Sequence, residues 1–355
     1  MVSALSSPLA LQALTPEEVV VALPGVLLSE ARKIVSAVHR RIPLDAPMQG
    51  VRRTSLDAVR GVPIPTLAVR SEQRSTVDPF IKLALDVGDG DVIETVRIPL
   101  QKPGRFSVCV SSQVGCALAC AFCATGRMGL TRNLETWEIV EQVRIVRLGL
   151  REGQRVHGVV FQGMGEPLAN LDRVLAAIRV MCDPSALAID ARAMTVCTAG
   201  IPSGIRRLAR EAPKVRLGMS IASARVGARR SLMPIDAANP LSEVIDAAVE
   251  HAQTTGLAPM WAVTLLAGVN DTEEDGRALA ELAAGFAARA GVRPRISVIP
   301  YNAIDDGARD PFARTDAEAE TRFRAAMRAN GFGSHKRYSG GGDVNAACGQ
   351  LAAKV

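Results

Sequence analysis

The first third of the chain contains two kinds of hydrophobic pattern. Apolar residues recur at helical spacing over residues 16–23, 28–41 and 55–60, which predicts a compact helical segment. Alternating apolar and polar residues follow over 80–87 and 92–98, with the sequence Gly-Asp-Gly-Asp between them. Because a glycine-rich stretch between two period-two runs is typical of a tight turn, we predict a β-hairpin here.

From residue 107 onward, short apolar runs alternate with longer amphipathic ones. The short runs predict strands at 107–110, 156–161, 193–198, 215–221, 259–265 and 295–299. The longer runs predict helices at 135–148, 171–181, 203–211, 241–255, 272–290 and 316–330. About six repeated β/α units favour an α/β fold, a parallel sheet closed into an incomplete barrel. The loops after the strands of such a barrel face one mouth, where the chemistry takes place.

The composition is that of a globular protein with a large core. The 355 residues are 48% hydrophobic and 22% charged, and the net charge is +6. No stretch approaches the ~20 uninterrupted apolar residues of a membrane-spanning helix, and the first residues lack signal-peptide features, which predicts a cytoplasmic protein. The positive charge is compatible with a polyanion such as RNA, although an arginine-rich composition produces the same value.

Cys116, Cys120 and Cys123 form a C-x3-C-x2-C triplet in the loop after the first predicted barrel strand. Iron–sulfur cubanes are normally held by four cysteine thiolates, so a triplet leaves one iron open for a substrate or cofactor. The alternative is a zinc site, or a structural cluster closed by Cys109, but zinc sites usually show two separated ligand pairs. We therefore predict a 4Fe–4S cluster with three cysteine ligands.

Two further thiols and one loop are candidates for chemistry. Cys109 lies on the strand before the triplet, and Cys348 lies in a glycine-rich C-terminal segment. Two such thiols beside a cluster suggest a transient disulfide, while simple packing is the alternative for Cys348. The sequence Gly-Met-Gly-Glu-Pro at 163–167 places flexible backbone and a carboxylate after a strand, which suits a ligand's ammonium group but also occurs as plain loop chemistry.

With these residues, the chain resembles the radical S-adenosylmethionine (SAM) adenosine methyltransferases of the RlmN/Cfr family, which act on 23S rRNA and in part on tRNA. The resemblance covers most of the chain. Besides the triplet, the matching segments are 94–99, 109–116, 132–134, 163–168, 233–236, 268–271 and 346–351. It implies an incomplete β/α barrel with a small N-terminal helical domain, in agreement with the hydrophobic pattern.

The resemblance also implies four regions. These are a helical, RNA-binding-like domain over 1–75, a hairpin and linker over 76–105, the radical SAM core over 106–335, and a tail over 336–355. The basic residues of the first region are similar to those of the family's RNA-gripping domain, and a solvated basic face is the alternative. They are Arg32, Lys33, Arg40, Arg41, Arg52 and Arg53.

Catalytic roles follow from the same resemblance. Cys348 accepts a methyl group from one SAM, and a second SAM at the open iron is cleaved to a radical that removes hydrogen from that methyl group. After addition to C2 or C8 of adenine, Cys109 attacks the sulfur of Cys348 and releases the product through a disulfide, while Glu94 takes the ring proton. Each turnover then uses two SAM molecules and an electron donor such as a flavodoxin or ferredoxin.

The family's SAM contacts correspond to Gly165, Glu166, Ser220 and Asn302, with Cys197, Ile221 and Ala222 in the same strand-end segments. Three segments depart from the family. Cys197 stands where a serine is usual, Ser-Ile-Ala at 220–222 replaces Ser-Leu-His, and Gly-Gly-Gly at 340–342 lies where a basic residue and a single glycine are usual. Backbone contacts survive such changes and side-chain contacts do not, which puts SAM orientation, substrate choice and a phosphate contact of the tail in question.

The sequence therefore predicts an enzyme, a monomeric radical SAM methyltransferase that acts on an adenine ring carbon of RNA. Two alternatives stay open. The first is a radical SAM methylase with a non-RNA substrate, which the missing histidine and the altered tail make credible. The second is a non-catalytic RNA-binding paralogue with a structural cluster, in which nothing would require both Cys109 and Cys348.

Overall fold

The computed structural model describes residues 9–304 and 310–352. Within these residues, ten strands form one sheet and two form a separate ribbon. The strands of the sheet are β1 (Ala68–Arg74), β2 (Ile81–Asp86), β3 (Val92–Pro99), β4 (Arg105–Val110), β7 (Arg155–Phe161), β8 (Met194–Thr198), β9 (Arg216–Ser220), β10 (Met260–Leu265), β11 (Arg295–Pro300) and β12 (Ser334–Lys336). The ribbon consists of β5 (Gln113–Cys116) and β6 (Gly129–Asn133).

The helices lie mostly between consecutive strands. They are α1 (Pro16–Ala22), α2 (Leu28–His39), α3 (Arg53–Arg60), α4 (Ala124–Arg127), α5 (Thr136–Leu148), α6 (Leu171–Cys182), α7 (Pro202–Glu211), α8 (Ala228–Leu232), α9 (Leu241–Thr255), α10 (Glu273–Ala290) and α11 (Ala317–Ala329). None of these helices, which cover the described ranges only, is long and apolar enough to cross a membrane.

The order of strands in the sheet explains how a mouth arises. The sheet runs β1-β2-β3-β4-β7-β8-β9-β10-β11-β12. The first four strands pair antiparallel, whereas β4 and all later strands of the sheet pair parallel. Parallel strands need crossover helices and place their carboxyl ends at one edge. The predicted incomplete β/α barrel with a hairpin and an N-terminal helical segment is confirmed.

Several elements were not predicted from the sequence. The hairpin is extended by β1, whose residues are largely exposed. The ribbon of β5 and β6 brackets the cysteine triplet, and the short β12 adds a last parallel strand beside β11. The small helices α4 and α8 were also missed. All are short or polar, so they lack the hydrophobic periodicity on which such predictions depend.

The core lies between the sheet and the helices that cover it. Trp261 on β10 is fully buried, and its ring lies 5.3 Å from that of Phe286 on α10 in an edge-to-face arrangement. Thr272 caps α10 by accepting from Asp275 N, and Gly291 ends it in the left-handed conformation. These caps fix where the helix begins and ends, so that its apolar face meets the strand.

The N-terminal helices dock on the barrel through buried charges. Arg144 of α5 is buried and donates to the carbonyl of Val38 in α2 at 2.7 Å. The same guanidinium pairs with the buried carboxylate of Glu141, which also accepts from Arg41 at 3.3 Å. Because unpaired buried charges are costly, these contacts hold the helical segment in one orientation on the barrel.

Two buried histidines make the stability of the fold depend on pH. His39 and His251 are buried, and neither ring has a hydrogen-bond partner within the described residues. Burial lowers the pKa of His39 from 6.5 to about 3 and that of His251 from 6.5 to about 4. Below about pH 6.5 the unfolded chain binds protons that the folded chain does not, so stability falls as the pH falls toward these lowered values.

We predict that His251→Leu weakens this dependence. Each histidine contributes a slope of up to ~1.4 kcal/mol per pH unit, and the substitution removes one of the two contributions. Urea unfolding between about pH 7 and pH 5 measures the slope. Equal slopes in wild type and His251→Leu would contradict the prediction.

Candidate active site

The cysteine triplet lies in a tight loop between β5 and β6. Cys116 is the last residue of β5, and Cys123 directly precedes α4. Gly126 makes the turn possible, because a Cβ atom there would lie 2.9 Å from the backbone nitrogen of Cys120. Ala121 N also donates to Leu232 O at 2.9 Å. The loop is therefore held by backbone packing on both sides.

The three triplet cysteines line one cavity of about 140 Å³, which we call the cysteine-loop cavity. Burial raises the pKa of Cys116 to about 11 and that of Cys120 to about 12. Thiols bind metal as thiolates. Ligation to iron would therefore remove the cost of burying these thiolates and of placing their charges close together. The described residues contain no group of three His, Cys, Asp or Glu side chains arranged around a single metal ion. Three thiols that line one cavity fit a cubane, whose cysteine ligands bind separate irons.

Glycines of the 163–167 loop allow it to lie directly on the strand that leads to the triplet. A Cβ atom on Gly163 would lie 2.7 Å from the carbonyl carbon of Val110. Gly165 has a φ of +95°, and a Cβ atom there would lie 2.5 Å from the Cβ of Gln113. Larger residues cannot occupy either position without moving the backbone. Packing therefore requires glycine at both positions, whether or not the loop also binds a ligand.

Glu166 connects three loops at the mouth. Its side chain is buried in the wall of the cysteine-loop cavity. One carboxylate oxygen accepts from Leu168 N at 3.0 Å and the other from Ala199 N at 2.8 Å. Burial raises the pKa of Glu166, and the hydrogen bonds oppose that shift. A carboxylate held in this way faces a cavity that can take a ligand's ammonium group.

The backbone at the end of β9, where the family's histidine is absent, is held by a neighbouring loop. Ser220 and Ala222 line the cysteine-loop cavity, whereas Ile221 is buried in the core. Ala222 has a φ of +59°, in the left-handed region that alanine rarely adopts. The side chain of Asn270 donates to Ala222 O at 2.7 Å. The backbone at this position is therefore fixed from a neighbouring loop.

Arg229 is a site residue that the sequence did not single out. Its guanidinium is fully buried and donates to Ala199 O and to Ile221 O, which follow β8 and β9. It also pairs with Asp236 at 2.6 Å. In the sequence, only the match of segment 233–236 to the family indicated that the surroundings of Arg229 belong to the site. The arginine holds two adjacent strand ends at a fixed separation.

Asn302, which the resemblance predicts to contact SAM, holds the C-terminal tail in this structure. Its side-chain amide donates to Ser339 Oγ at 2.7 Å and to Cys348 O at 3.2 Å. Ala124 N donates to Gly349 O at 2.8 Å, which attaches the tail to the triplet loop. Because of these contacts, Cys348 lies at the mouth rather than in a frayed terminus.

A second cavity adjoins the cysteine-loop cavity, and Cys123 of the triplet lines both. This hairpin cavity, of about 100 Å³, is lined by Cys109, Gln162, Arg337, Tyr338 and Phe80 among others. Cys348 lines both cavities. All seven cysteines, which lie in the described residues, are free thiols. The structure therefore brings Cys109 and Cys348 to one cavity, as expected from the sequence.

Arg337 is a second residue that sequence reasoning missed. It donates to Gln162 Oε1 at 3.0 Å, and the charges on the sulfurs of Cys348, Cys197 and Cys109 raise its pKa. Burial raises the pKa of Cys109, and it raises that of Cys197 to about 12, whereas Arg337 opposes both shifts. The guanidinium therefore favours the thiolate forms of Cys109 and Cys197, against the effect of burial.

Glu94 lies behind the tail and lines neither cavity in the described residues. Its buried carboxylate pairs with the buried Lys82 Nζ at 2.8 Å, a diagonal neighbour on β2. The other oxygen accepts from Ala352 N at 2.8 Å. Both carboxylate oxygens therefore have a partner, and the side chain is fixed between β2 and the tail.

The basic residues of the N-terminal segment are partly used inside it. Arg52 makes a bidentate contact with the buried carboxylate of Glu30, and Lys33 donates to Gln49 O and Gly50 O. Arg41 pairs with Glu141 on α5. Sequence reasoning could not separate these structural cations from exposed ones such as Arg32 and Arg40.

Known proteins are similar to this chain over most of its length. Residues 110–283 match the radical SAM superfamily. The crystal structure of a radical SAM methyltransferase from Sphaerobacter thermophilus matches with a TM-score of 0.87 and 36% identity, covering 98% of this chain and 100% of that chain. A probable RNA methyltransferase of Sorangium cellulosum is 60% identical, covering 95% of this chain and 90% of the relative. The dual-specificity RNA methyltransferase RlmN of Syntrophobacter fumaroxidans is 38% identical, covering 83% of this chain and 82% of that enzyme.

The barrel and its cysteine loop define a radical SAM enzyme, a class that uses a 4Fe–4S cluster and SAM. The relatives identify one family within this class. The chain belongs to the family of radical SAM RNA methyltransferases that includes RlmN. The family expected from the sequence is therefore confirmed.

We predict that Gly165→Ala lowers the free energy of unfolding by roughly 2–5 kcal/mol, because it combines a left-handed backbone with a collision against Gln113. Urea unfolding of the apo-protein measures the effect. Gly285 on α10 is a matched control, since no atom lies within 4 Å of a Cβ atom there. Gly285→Ala should stabilise the helix by about 1 kcal/mol. A Gly165→Ala variant as stable as wild type would show that the loop does not need glycine.

Proposed function

We propose that this protein methylates a ring carbon, C2 or C8, of an adenine in RNA by a radical SAM mechanism. The observation that carries the proposal is the location of Cys348, whose residue lines the cysteine-loop cavity and the hairpin cavity at once. A thiol between two cavities can collect a group from one and deliver it to the other. The relatives named RNA methyltransferases support RNA as the substrate.

The cysteine-loop cavity would hold the cofactors. Cys116, Cys120 and Cys123 would ligate the 4Fe–4S cluster, which when bound supplies the electron for reductive cleavage of SAM. Glu166 and the backbone of Gly165 would hold the ammonium group and sugar of SAM, and Ser220, Ile221, Ala222 and Cys197 would form the neighbouring strand ends. Asn302 would orient both SAM and the tail. The reaction would also require an external electron donor, such as a flavodoxin or ferredoxin, to reduce the cluster.

The thiols would carry the methyl group. Cys348 would take the methyl group from one SAM, with S-adenosylhomocysteine as the leaving group, and a second SAM would be consumed when that methyl group is activated, so two would be used per turnover. Cys109 would then attack the Cys348 sulfur; the electron pair of the broken S–C bond would pass to the product, whose methylene carbon takes up a proton to become the methyl group, and an external thiol would reduce the resulting disulfide. Arg337 opposes the raised pKa of Cys109 and so favours the thiolate that this attack requires.

Glu94 would accept the ring proton of the adenine. Its pairing with the buried Lys82 Nζ supports this role, because the ammonium group holds the carboxylate in a fixed position next to the tail. The second oxygen is engaged by Ala352 N. Access to the base would accordingly require residue 352 to move away while Lys82 remains in place.

The remaining assignments follow from the family. The segment 1–75 would grip RNA, 23S rRNA or tRNA, through Arg32 and Arg40, which are exposed. Segments 76–105, 106–335 and 336–355 would serve as hairpin and linker, catalytic core and carrier tail of a cytoplasmic monomer. The missing histidine is one reason to consider a non-RNA substrate. That reason is weaker because Asn270 holds the backbone at Ala222 in the absence of the histidine. The two linked cavities disfavour a non-catalytic RNA-binding paralogue.

We predict that expression of this protein in a host without family members produces a new methyladenosine in RNA, and that Cys348→Ala abolishes it. Mass spectrometry of RNA nucleosides measures the product, and its retention time separates C2 from C8 methylation. If the wild-type protein cleaves SAM but RNA carries no new methyladenosine, the substrate is not RNA.

We also predict that Lys82→Met lowers the free energy of unfolding by about 3–5 kcal/mol, because it leaves the Glu94 carboxylate without its cation. The double variant Lys82→Met with Glu94→Gln should recover most of this stability, since no buried charge then remains unpaired. Urea unfolding measures both values. Methylation should stay lost in the double variant, and full activity there would refute the role of Glu94 as the base.

A further inference from the structure

The C-terminal tail crosses the open side of the barrel. β1 and β12 are the edge strands of the sheet, and residues 338–343, directly after β12, contact the loop at 75–80 between β1 and β2. We call these two segments the clasp. Through the clasp the tail connects both ends of the sheet before it reaches Cys348.

Asp78 is the centre of the clasp. Its Oδ2 accepts from Tyr338 Oη and from Gly341 N, each at 2.9 Å, and its Oδ1 accepts from Phe80 N at 3.1 Å. The rings of Phe80 and Tyr338 lie 6.2 Å apart. Hydrogen bonds to a charged acceptor are stronger than neutral ones. One half-buried carboxylate thus ties the tail to the hairpin loop.

Asp343 makes the reciprocal contact. Its carboxylate, on the tail, accepts from Thr76 N at 2.8 Å and from Thr76 Oγ1 at 3.1 Å. Each segment of the clasp therefore offers a carboxylate to backbone nitrogen of the other. Two such contacts fix the separation and the direction of the tail at this point.

The glycines of the tail are required by this packing. A Cβ atom on Gly340 would lie 2.4 Å from the ring of Phe80 and 2.7 Å from Asp78 Oδ2. A Cβ atom on Gly341, whose φ is +72°, would lie 2.8 Å from that of Ala346. A basic side chain at Gly340 is incompatible with the closed clasp. Gly340 and Gly341 thus allow the tail to pack closely on the hairpin loop.

We propose that Asp78 is a positioning residue for Cys348. The tail is fixed upstream by the clasp and downstream by the hydrogen bond from Ala124 N to Gly349 O. Cys348 lies between these two attachments and lines both cavities. Without the upstream attachment, the thiol would leave the position from which it serves both. The inference rests on the proposed function of Cys348 as methyl carrier.

The position of Asp78 separates this role from a role in folding. Its carboxylate accepts hydrogen bonds from the tail and from its own turn, and its backbone nitrogen donates to Ser75 Oγ. The side chain is half-buried in a surface loop outside the hydrophobic core. Removing the carboxylate should therefore leave the sheet, the helices and the triplet loop intact.

Asp78→Ala tests the proposal in the full-length protein with two measurements. The first is the number of methyl groups transferred per 5′-deoxyadenosine formed, which should fall about tenfold while SAM cleavage stays near the wild-type rate. The second is alkylation of Cys348 by iodoacetamide in the apo-protein, followed by peptide mass spectrometry. Its rate should rise about tenfold, because it follows the population of the released tail.

Tyr338→Phe removes one hydrogen bond and keeps the ring, so both measurements should move in the same direction by about threefold. Glu72→Gln, an exposed carboxylate on β1, is the control and should change neither. The proposal would be overturned if Asp78→Ala changed neither the number of methyl groups transferred per 5′-deoxyadenosine nor the rate of Cys348 alkylation. Loss of the cluster in Asp78→Ala with an unaltered Tyr338→Phe variant would overturn it too, because Asp78 would then be a folding residue. If wild type forms no methyladenosine, the proposed function fails, yet alkylation still decides whether the clasp holds Cys348.

Discussion

Docking of the C-terminal tail onto the triplet loop is the interaction on which the rest of the site depends. Ala124 N and the Thr125 hydroxyl donate to Gly349 O and Leu351 O, so the tail runs beside the cysteine loop. Gly349 has a φ of +88°, and a Cβ atom there would lie 3.2 Å from Phe122 O. These contacts place a thiol from the end of the chain next to a loop some 225 residues earlier (349 minus 124). Without them Cys348 would not line the cysteine-loop cavity.

Buried charges hold the mouth in place, and most of their partners are backbone groups. Glu166 accepts from two backbone nitrogens, and Arg229 donates to two backbone carbonyls at the ends of β8 and β9. Charged groups without partners are costly in the interior, whereas charged hydrogen bonds to backbone are strong and directional. The strand ends are thereby fixed more rigidly than apolar packing alone would achieve. A cofactor cavity between them keeps its shape in the absence of a ligand.

The sequence was informative where chemistry and periodicity are local. The triplet spacing and the alternation of strands and helices are read within short windows, and the turn at 88–91 revealed β2 and β3. Edge strand β1 was missed because its polar residues show no hydrophobic alternation. Arg337 and Asp78 were missed for another reason. Their partners Gln162 and Gly341 lie 175 and 263 residues away, and no local pattern marks a single polar residue whose partner is set by topology.

Two of the three departures from the family, at 220–222 and 340–342, have a common physical reading. Ala222 has a left-handed backbone that costs an alanine about 1–2 kcal/mol, and the hydrogen bond from Asn270 offsets that strain. Gly340 has no side chain and lies in close contact with Phe80. At both positions neighbouring residues define the backbone trace. A strained backbone held by its surroundings is typical of functional sites, so the roles proposed for Ala222 and for the tail depend on backbone position rather than on side-chain contacts.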